Sequence, residues 1–246
     1  LWQHEAHTGS PPVGRHPKST YASETPATDG ERLYVLFGDL GLWCYDMEGK
    51  VLWKHHIEAK KTMYDYGAAG SPVVHENQVI VVYDNHEASY IAAFDTKTGK
   101  ERWRTARDEK STWATPFIWK HAQRTEIVVS GKNRIRSYDL SGKVLWECGG
   151  KMSNLIIPSP FAAHDLLYIT SGYFADKVRP VFAIKPGASG DISLDEDSEQ
   201  TSNEFVQWYL RKAGPYNTSP IVYNERYFTL LDRGMMTCHH AKTGAE

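Results

Sequence analysis

Short runs of β-branched and aromatic residues recur along the chain at nearly regular intervals, and by residue type and length they predict strands. The runs are RLYVLFG, QVIVVYD, TEIVVSG, LLYITSG and RYFTLLD. Each run follows a proline-containing phrase, centred in turn on Pro26, Pro72, Pro116, Pro160 and Pro220. Helical periodicity is nearly absent, so the pattern indicates an all-β protein.

A second phrase closes three of these repeats. It reads CYDMEGKVLW at 44–53, AAFDTKTGKERW at 92–103 and SYDLSGKVLW at 137–146. Each copy joins a small residue, an aromatic residue and an acid to a glycine turn and a tryptophan. Four short strands in roughly 45 residues match the size and content of one propeller blade. We therefore predict a β-propeller of four-stranded antiparallel blades, about five of them in this chain.

The repeats divide the chain into one predicted propeller domain over residues 1–246. Its repeats lie at about 20–57, 67–107, 111–150, 155–212 and 216–246 plus 1–6. The fifth repeat ends before any tryptophan, whereas Trp2 at the start of the chain is in the phase that would complete it. Two explanations remain open: the N-terminal strand closes the ring, or the chain is an arc of a seven- or eight-bladed ring.

The fourth repeat departs from the pattern. It has Lys185 in place of the acid and then carries an insertion, ASGDISLDEDSEQTSNE, at 188–204. This acidic stretch has few large apolar residues, so we expect a solvated excursion that can be removed with little loss of stability. In the fifth repeat His240 stands in the acid's place.

Composition excludes several classes of protein. The formal net charge of −2 over 246 residues gives no bias toward nucleic acid or an anionic membrane. The sequence has no apolar run long enough to span a bilayer. Its N-terminus lacks the charged and apolar regions of a signal peptide, so either the protein is not exported or a leader is absent from this sequence. Cys44, Cys148 and Cys238 lie far apart, and we expect them to be buried and inert.

Candidate metal and catalytic motifs are weak. His4 and His7, and the pairs at 55–56 and 239–240, lack the helical frame of a zinc site, so we interpret them as solvated or packing residues. The insertion offers Asp191, Asp195 and Asp197 without the glycine and terminal glutamate of a calcium loop. We predict no metal site and no catalytic residue.

The phrase at 92–103 matches in full the tryptophan-docking motif of pyrroloquinoline-quinone-type (PQQ-like) propeller repeats, and the resemblance covers nearly the whole chain. The matching positions are Ala93, Asp95, Thr98, Gly99, Lys100, Glu101 and Trp103. In that family the motif is structural, with the tryptophan between neighbouring blades. The resemblance therefore implies structural docking roles, with largely buried repeat tryptophans, for Trp2, Trp53, Asp95, Gly99, Trp103, Trp146 and Trp208.

The family that this chain resembles contains quinoprotein dehydrogenases and noncatalytic extracytoplasmic propellers, including the lipoprotein of the outer-membrane barrel assembly machinery. The adjacent cysteines common in the dehydrogenases are missing here. The resemblance implies a noncatalytic bacterial binding or assembly scaffold, periplasmic or extracellular, without a cofactor. The alternatives are a fragment of a PQQ- and calcium-dependent dehydrogenase and the ligand-sensing propeller of a signalling protein.

Residues just before each innermost strand should line the mouth of the central channel. They are rich in aromatic and amide groups, which are common anchors of peptide or carbohydrate contacts. The nearest basic residues in sequence are Lys110 and Lys151. We predict a protein, peptide or carbohydrate ligand at this rim and no nucleic acid; the competing interpretation is that the residues only cover the blade tops. The candidates are Tyr21, Tyr64, Tyr66, Trp113, Asn154, Tyr216 and Asn217.

Overall fold

Strands make up the regular structure of the computed structural model, which describes residues 1–38, 40–150, 152–195 and 198–246. The chain separates into two compact units, Leu1–Ser111 and Thr112–Glu246. Single 3-10 turns occur at Met63–Asp65 and Asp232–Gly234. The described strands form five sheets, which confirms the prediction of an all-β fold with about five blades.

The first unit contains two four-stranded antiparallel sheets whose strands pair in chain order. Residues 1–26 precede them and contain no strand. The first sheet consists of β1 (Ala27–Thr28), β2 (Arg32–Phe37), β3 (Gly41–Asp46) and β4 (Val51–His56). The second consists of β5 (Val73–His75), β6 (Gln78–Tyr83), β7 (Tyr90–Asp95) and β8 (Glu101–Ala106).

The second unit contains the other three sheets. The third sheet has β9 (Phe117–Lys120), β10 (Thr125–Val129), β11 (Arg134–Tyr138) and β12 (Val144–Gly149). The fourth begins with β13 (Phe161–Ala163), β14 (Leu166–Thr170) and β15 (Val181–Ile184). The chain then forms β16 (Gly190–Asp191), which joins the third sheet parallel to β12, before β17 (Val206–Leu210) completes the fourth. The fifth has β18 (Ile221–Tyr223), β19 (Arg226–Leu231) and β20 (Met235–His240).

The fifth sheet has three strands in the part of the chain that the structure describes. The assignment of residues 1–6 to the fifth repeat, and of residues 1–246 to a single domain, stays a prediction.

One row of paired residues crosses each sheet at the same register. The rows are Ala27–Tyr34–Cys44–Trp53, Val73–Ile80–Ala93–Trp103, Phe117–Val128–Ser137–Trp146, Phe161–Tyr168–Ala183–Trp208 and, in the fifth sheet, Ile221–Phe228–Cys238. Directly paired side chains lie about 4.5–5.5 Å apart at Cβ, so a small third residue leaves room for the indole beside it. This is the packing reason for the small residue in the sequence motif.

Three tryptophans make the same contact with a glycine turn. Trp53 and Trp208 contact a turn in the sheet that follows their own, and Trp2 contacts a turn in the first sheet. Each indole Nε1 donates a hydrogen bond to a backbone carbonyl just after the acid position, and each ring lies over the turn glycine, where a Cβ atom would come within 2.9 Å of the indole. Because nothing larger than glycine fits under the ring, the turn and the tryptophan constrain each other. The three contacts are Trp2 with Met47 O and Gly49, Trp53 with Thr96 O and Gly99, and Trp208 with Ala241 O and Gly244.

Two other tryptophans donate to a side chain of their own sheet. Trp103 Nε1 lies 3.1 Å from Gln78 Oε1, and Trp146 Nε1 lies 2.7 Å from Glu126 Oε2. Trp146 is fully buried and Trp208 nearly so, whereas Trp53 and Trp103 are half-buried. The expected burial of the repeat tryptophans therefore holds for two of these four, since the other two retain some solvent exposure.

The prediction of a solvated excursion at 188–204 is wrong for the apolar residues of this segment, of which the structure describes all but Glu196 and Asp197, whereas its removal with little loss of stability is untested. Ala188, Ile192 and Leu194 are buried in the same core as Trp146. In extended backbone, residues two positions apart point to one side, so Ile192 and Leu194 together supply an apolar face that composition alone does not reveal.

Candidate functional site

In each sheet, the connections between strands lie at one or the other end of the strands. Because the strands are antiparallel and mostly in chain order, the second-to-third connections and the segments that enter the first strands lie at the same end, called here the loop edge. The glycine turns leave from the opposite edge. All seven predicted rim residues lie in segments that enter a first strand, so each belongs to the loop edge of its unit.

In the second unit the structure brings two of the predicted residues, Asn154 and Tyr216, together around Tyr173. The Tyr173 ring packs on Tyr216 at 5.2 Å between centroids and on Phe174 at 4.6 Å. The Tyr173 backbone N–H donates to Ser153 Oγ at 2.8 Å, next to Asn154. Phe174 is 53% exposed, so an apolar ring faces solvent next to these hydrogen-bonded residues.

The carboxylate of Asp176 is the common acceptor of the hydrogen bonds that hold Ser153 and Asn154 in place. Its Oδ2 accepts hydrogen bonds from Ser153 Oγ at 2.5 Å and from the Asn154 backbone N–H at 2.7 Å, and its Oδ1 accepts one from the Asn154 amide at 2.7 Å. Partial burial acts to raise the pKa of Asp176, but the hydrogen bonds from Ser153 and Asn154 lower it below its usual range. The ionised carboxylate therefore fixes Asn154. We call Tyr173, Phe174, Tyr216, Asn154 and Asp176 the Tyr173 cluster.

In the first unit the N-terminal segment packs on the predicted residues. The His16 ring meets Tyr66 edge-on at 4.5 Å, and the His16 backbone N–H donates to the Tyr66 carbonyl. The Arg15 guanidinium lies 5.5 Å from the Tyr21 ring centroid. Tyr64 packs on Tyr66 at 5.3 Å but remains 71% exposed. Of the three tyrosines, Tyr64 is thus the most accessible.

The two remaining predicted residues, Trp113 and Asn217, belong to the second unit and are not members of the Tyr173 cluster. Trp113 is half-buried, and its backbone N–H donates to the Ile156 carbonyl. Asn217 is exposed beside Tyr216. Sequence reasoning missed Tyr173, Phe174 and Asp176 because it considered only the segments before first strands. The available signal was the aromatic pair in GYFAD, between the second and third strands of the fourth repeat.

A buried ion pair, also missed, anchors the loop edge of the second sheet. Arg107 Nε and Nη2 donate to the two oxygens of Asp84 at 2.8 and 3.0 Å, and both side chains are fully buried. Asn85 Oδ1 accepts hydrogen bonds from the backbone of residues 87 and 88 in the same loop. A two-point contact of this kind fixes orientation as well as distance, so it holds the loop against the end of β8.

A second buried carboxylate organises the third sheet. Glu126 is fully buried and accepts hydrogen bonds from Trp146 Nε1, Arg124 Nε and Ser137 Oγ, and His121 Nε2 lies 2.8 Å from Oε1. It occupies the position of Gln78 in the second sheet, whose side-chain oxygen accepts a hydrogen bond from Trp103. The Glu126 carboxylate is therefore used to hold the third sheet together.

The acids that recur in register hold their turns. Asp46, Asp95 and Asp139 each accept backbone N–H groups of the following glycine turn through Oδ1. Hydrogen bonds from Arg102 and Thr98 outweigh partial burial and lower the pKa of Asp95 to about 2. These carboxylates are thus turn acceptors.

The histidines and acids proposed as weak metal motifs are dispersed. His4 packs on Trp43 and Tyr45, and Asp191 pairs with Arg134. Across residues 1–38, 40–150, 152–195 and 198–246, no three His, Cys, Asp or Glu side chains are grouped as a metal site. Asp197 and Lys151 lie outside the described residues. Within the same ranges, no helix is long and apolar enough to cross a membrane.

Comparison with protein families gives a match over the full length. The family model described as outer membrane protein assembly factor BamB matches residues 1–246. The chain belongs to this family. The PQQ-like propeller resemblance read from the tryptophan motif is thereby confirmed. No curated protein sequence matches the chain.

Solved structures support the fold. The crystal structure of BamB from Moraxella catarrhalis is similar with a TM-score of 0.64 and 14% identity, over 91% of this chain and 59% of that protein. A quinohemoprotein alcohol dehydrogenase, ADHIIG from Pseudomonas putida HK5, is similar with a TM-score of 0.55 and 14% identity, over 90% of this chain and 40% of the enzyme. This chain thus spans less than two thirds of either protein, and the likeness concerns the fold.

Proposed function

We propose that this chain is a noncatalytic binding scaffold that holds a protein partner at the Tyr173 cluster. The observation that carries the proposal is the exposed Phe174 ring, which packs on Tyr173; Tyr173 also packs on Tyr216, and Asp176 holds Ser153 and Asn154 next to this group by hydrogen bonds. Aromatic side chains bury a large area at little entropic cost and often anchor protein interfaces. Because hydrogen bonds already hold Ser153 and Asn154 in place, binding there loses less conformational entropy.

The family description supports a protein partner over a peptide or carbohydrate, since it names an outer membrane assembly factor. It equally supports a bacterial protein located in the periplasm or outside the cell. Tyr21, Tyr64, Tyr66, Trp113 and Asn217 stay predicted contacts at the loop edges. Under the alternative function, a fragment of a PQQ- and calcium-dependent dehydrogenase, the support is the fold likeness to the Pseudomonas enzyme.

Site-specific photocrosslinking in cells that naturally produce the protein tests the proposal. A photoreactive phenylalanine analogue replaces Phe174 in the full-length protein. The control places it at Met47, which has a similar exposed fraction, 54%, but lies at a glycine turn. We expect one discrete protein adduct from position 174 and none of that mass from position 47.

A second variant separates recognition from exposure. Tyr216→Ala removes a ring that supports Tyr173, so it should weaken the adduct formed at position 174 while the melting temperature stays close to that of the parent. Equal adducts from positions 174 and 47, or an adduct insensitive to Tyr216→Ala in a folded protein, would overturn the proposal.

A further inference from the structure

The insertion of the fourth repeat builds one wall of an open cleft in the second unit. Strand β16 runs beside β12 and continues into Ser193, which lines the cleft together with Lys132 and Arg134 of the third sheet. The cleft, called here the insert cleft, has a volume of about 490 Å³. Small-molecule sites commonly occupy about 300–1,000 Å³, so a ligand of sugar size fits.

Arg134 of the third sheet and two residues of the insertion, Asp191 and Ser193, present fixed polar groups to the cleft. Arg134 Nη1 lies 2.9 Å from Asp191 Oδ2, and Ser193 Oγ donates to Asp191 Oδ1 at 2.5 Å. The hydrogen bonds from Ser193, helped by Arg134, lower the pKa of Asp191 to about 2, so this carboxylate remains an acceptor near neutral pH. A ligand with several hydroxyl groups can donate to Asp191 and accept from Arg134.

The cleft lining also includes a cation, Lys132, that no direct contact neutralises in the described residues. Within the described parts of the chain, the Lys132 ammonium has no hydrogen bond or ion pair and only the longer-range attraction of Asp176. The Asp176 oxygens already accept hydrogen bonds from Ser153 and Asn154. Lys132 thus offers an ammonium suited to a carboxylate, since charge-assisted hydrogen bonds are stronger than neutral ones.

We propose that the insert cleft binds a small polyhydroxylated carboxylate of the sugar-acid class. The carboxylate binds Lys132, and the hydroxyl groups bind Asp191, Arg134 and Ser193. The half-buried Met152 and the buried Leu194 are the aliphatic side chains of the described lining, and Met152 is the more accessible of the two for contact with the carbon skeleton. The cleft lining shares no residue with the Tyr173 cluster, and this proposal does not rest on the proposed protein-binding function.

Methyl NMR provides a local readout. The sequence contains five methionines, and Met152 lines the cleft. With labelled methionine methyl groups in the folded protein, glucuronate should shift the Met152 signal saturably. Glucose lacks the carboxylate and acetate lacks the hydroxyl groups, so each should bind at least about tenfold more weakly.

Charge variants test the role of Lys132. Lys132→Gln should weaken glucuronate binding by about tenfold or more, because it removes a charged hydrogen-bond partner, whereas Lys132→Arg should retain most of the affinity. Lys143→Gln, which removes an exposed lysine at the turn of the same sheet, should bind like the parent.

Three results would overturn the proposal: no saturable Met152 shift with glucuronate, equal affinity of the Lys132→Gln variant, or glucose or acetate binding as tightly as glucuronate. Shifts confined to the other methionines would likewise place binding outside the cleft and contradict it.

Discussion

The contact between Trp53 and Gly99 shows how two single residues connect neighbouring sheets. The indole covers the turn, and its Nε1 donates to the Thr96 carbonyl at 3.0 Å. Gly99 has a φ of +67°, a conformation that side chains with a Cβ rarely adopt. Conformation and space therefore both demand glycine at this position.

We predict that Gly99→Ala destabilises the protein more than Gly190→Ala. Gly190 has a similar φ of +72°, but a Cβ atom added there would meet nothing within 4 Å, whereas a Cβ at Gly99 would lie 2.5 Å from Trp53. Both changes carry the left-handed backbone cost, about 1–2 kcal/mol. Only Gly99→Ala adds overpacking, about 1–3 kcal/mol.

Urea denaturation of both variants measures this difference in the free energy of unfolding. Equal losses would show that the backbone alone accounts for the glycine and that the tryptophan yields at no cost.

The turn motif could be predicted from the sequence because its residue types recur in register. Asp95 accepts hydrogen bonds in the turn, Gly99 has a positive φ, and Trp103 pairs with the small residue Ala93. The sequence repeats these residue types in several copies. The acceptor of each indole could not be predicted, since Gln78 and Glu126 take that role only through strand pairing.

At the scale of elements, the insertion behaves as part of the core between the third and fourth sheets. Ile192 is 3% and Leu194 2% exposed, and both belong to the core that contains Trp146. The acidic composition of residues 188–204 indicates solvation, because composition is an average over the whole segment. Burial depends instead on the few apolar residues and on the backbone pairing of β16 with β12.

We therefore predict that Ile192→Ala and Leu194→Ala each lower the free energy of unfolding by about 2–5 kcal/mol, as truncation of a buried aliphatic residue does. Gln200→Ala, at an exposed position of the same segment, should change it by no more than about 0.5 kcal/mol.

Chemical denaturation of the three variants measures these effects. Replacement of residues 188–204 by a short Gly/Ser bridge should cost at least as much as either core substitution. A bridged protein as stable as the parent would show that the buried contacts contribute nothing.

At the scale of the whole molecule, the repeated strands and turns made the propeller family predictable, but the candidate site was only partly so. Asn154 and Tyr216 were predicted, whereas Tyr173, Phe174 and Asp176 come from a connecting loop outside the repeat pattern. BamB and a quinohemoprotein alcohol dehydrogenase both share this fold, so the fold is compatible with binding and with catalysis.

We predict that the full-length protein shows no calcium-dependent binding of the quinone cofactor at the Tyr173 cluster. Calcium takes six to eight oxygen ligands, and a planar polycarboxylate needs cationic or oxygen-donor partners placed in advance. The Asp176 oxygens already accept three hydrogen bonds, from Ser153 and twice from Asn154, so releasing them for a cation would expose those donors unpaired. Titration calorimetry with quinone, with and without calcium, should give the same heats as buffer. Saturable, calcium-dependent binding that is abolished by Asp176→Asn would instead identify the cluster as part of a cofactor site and favour the dehydrogenase.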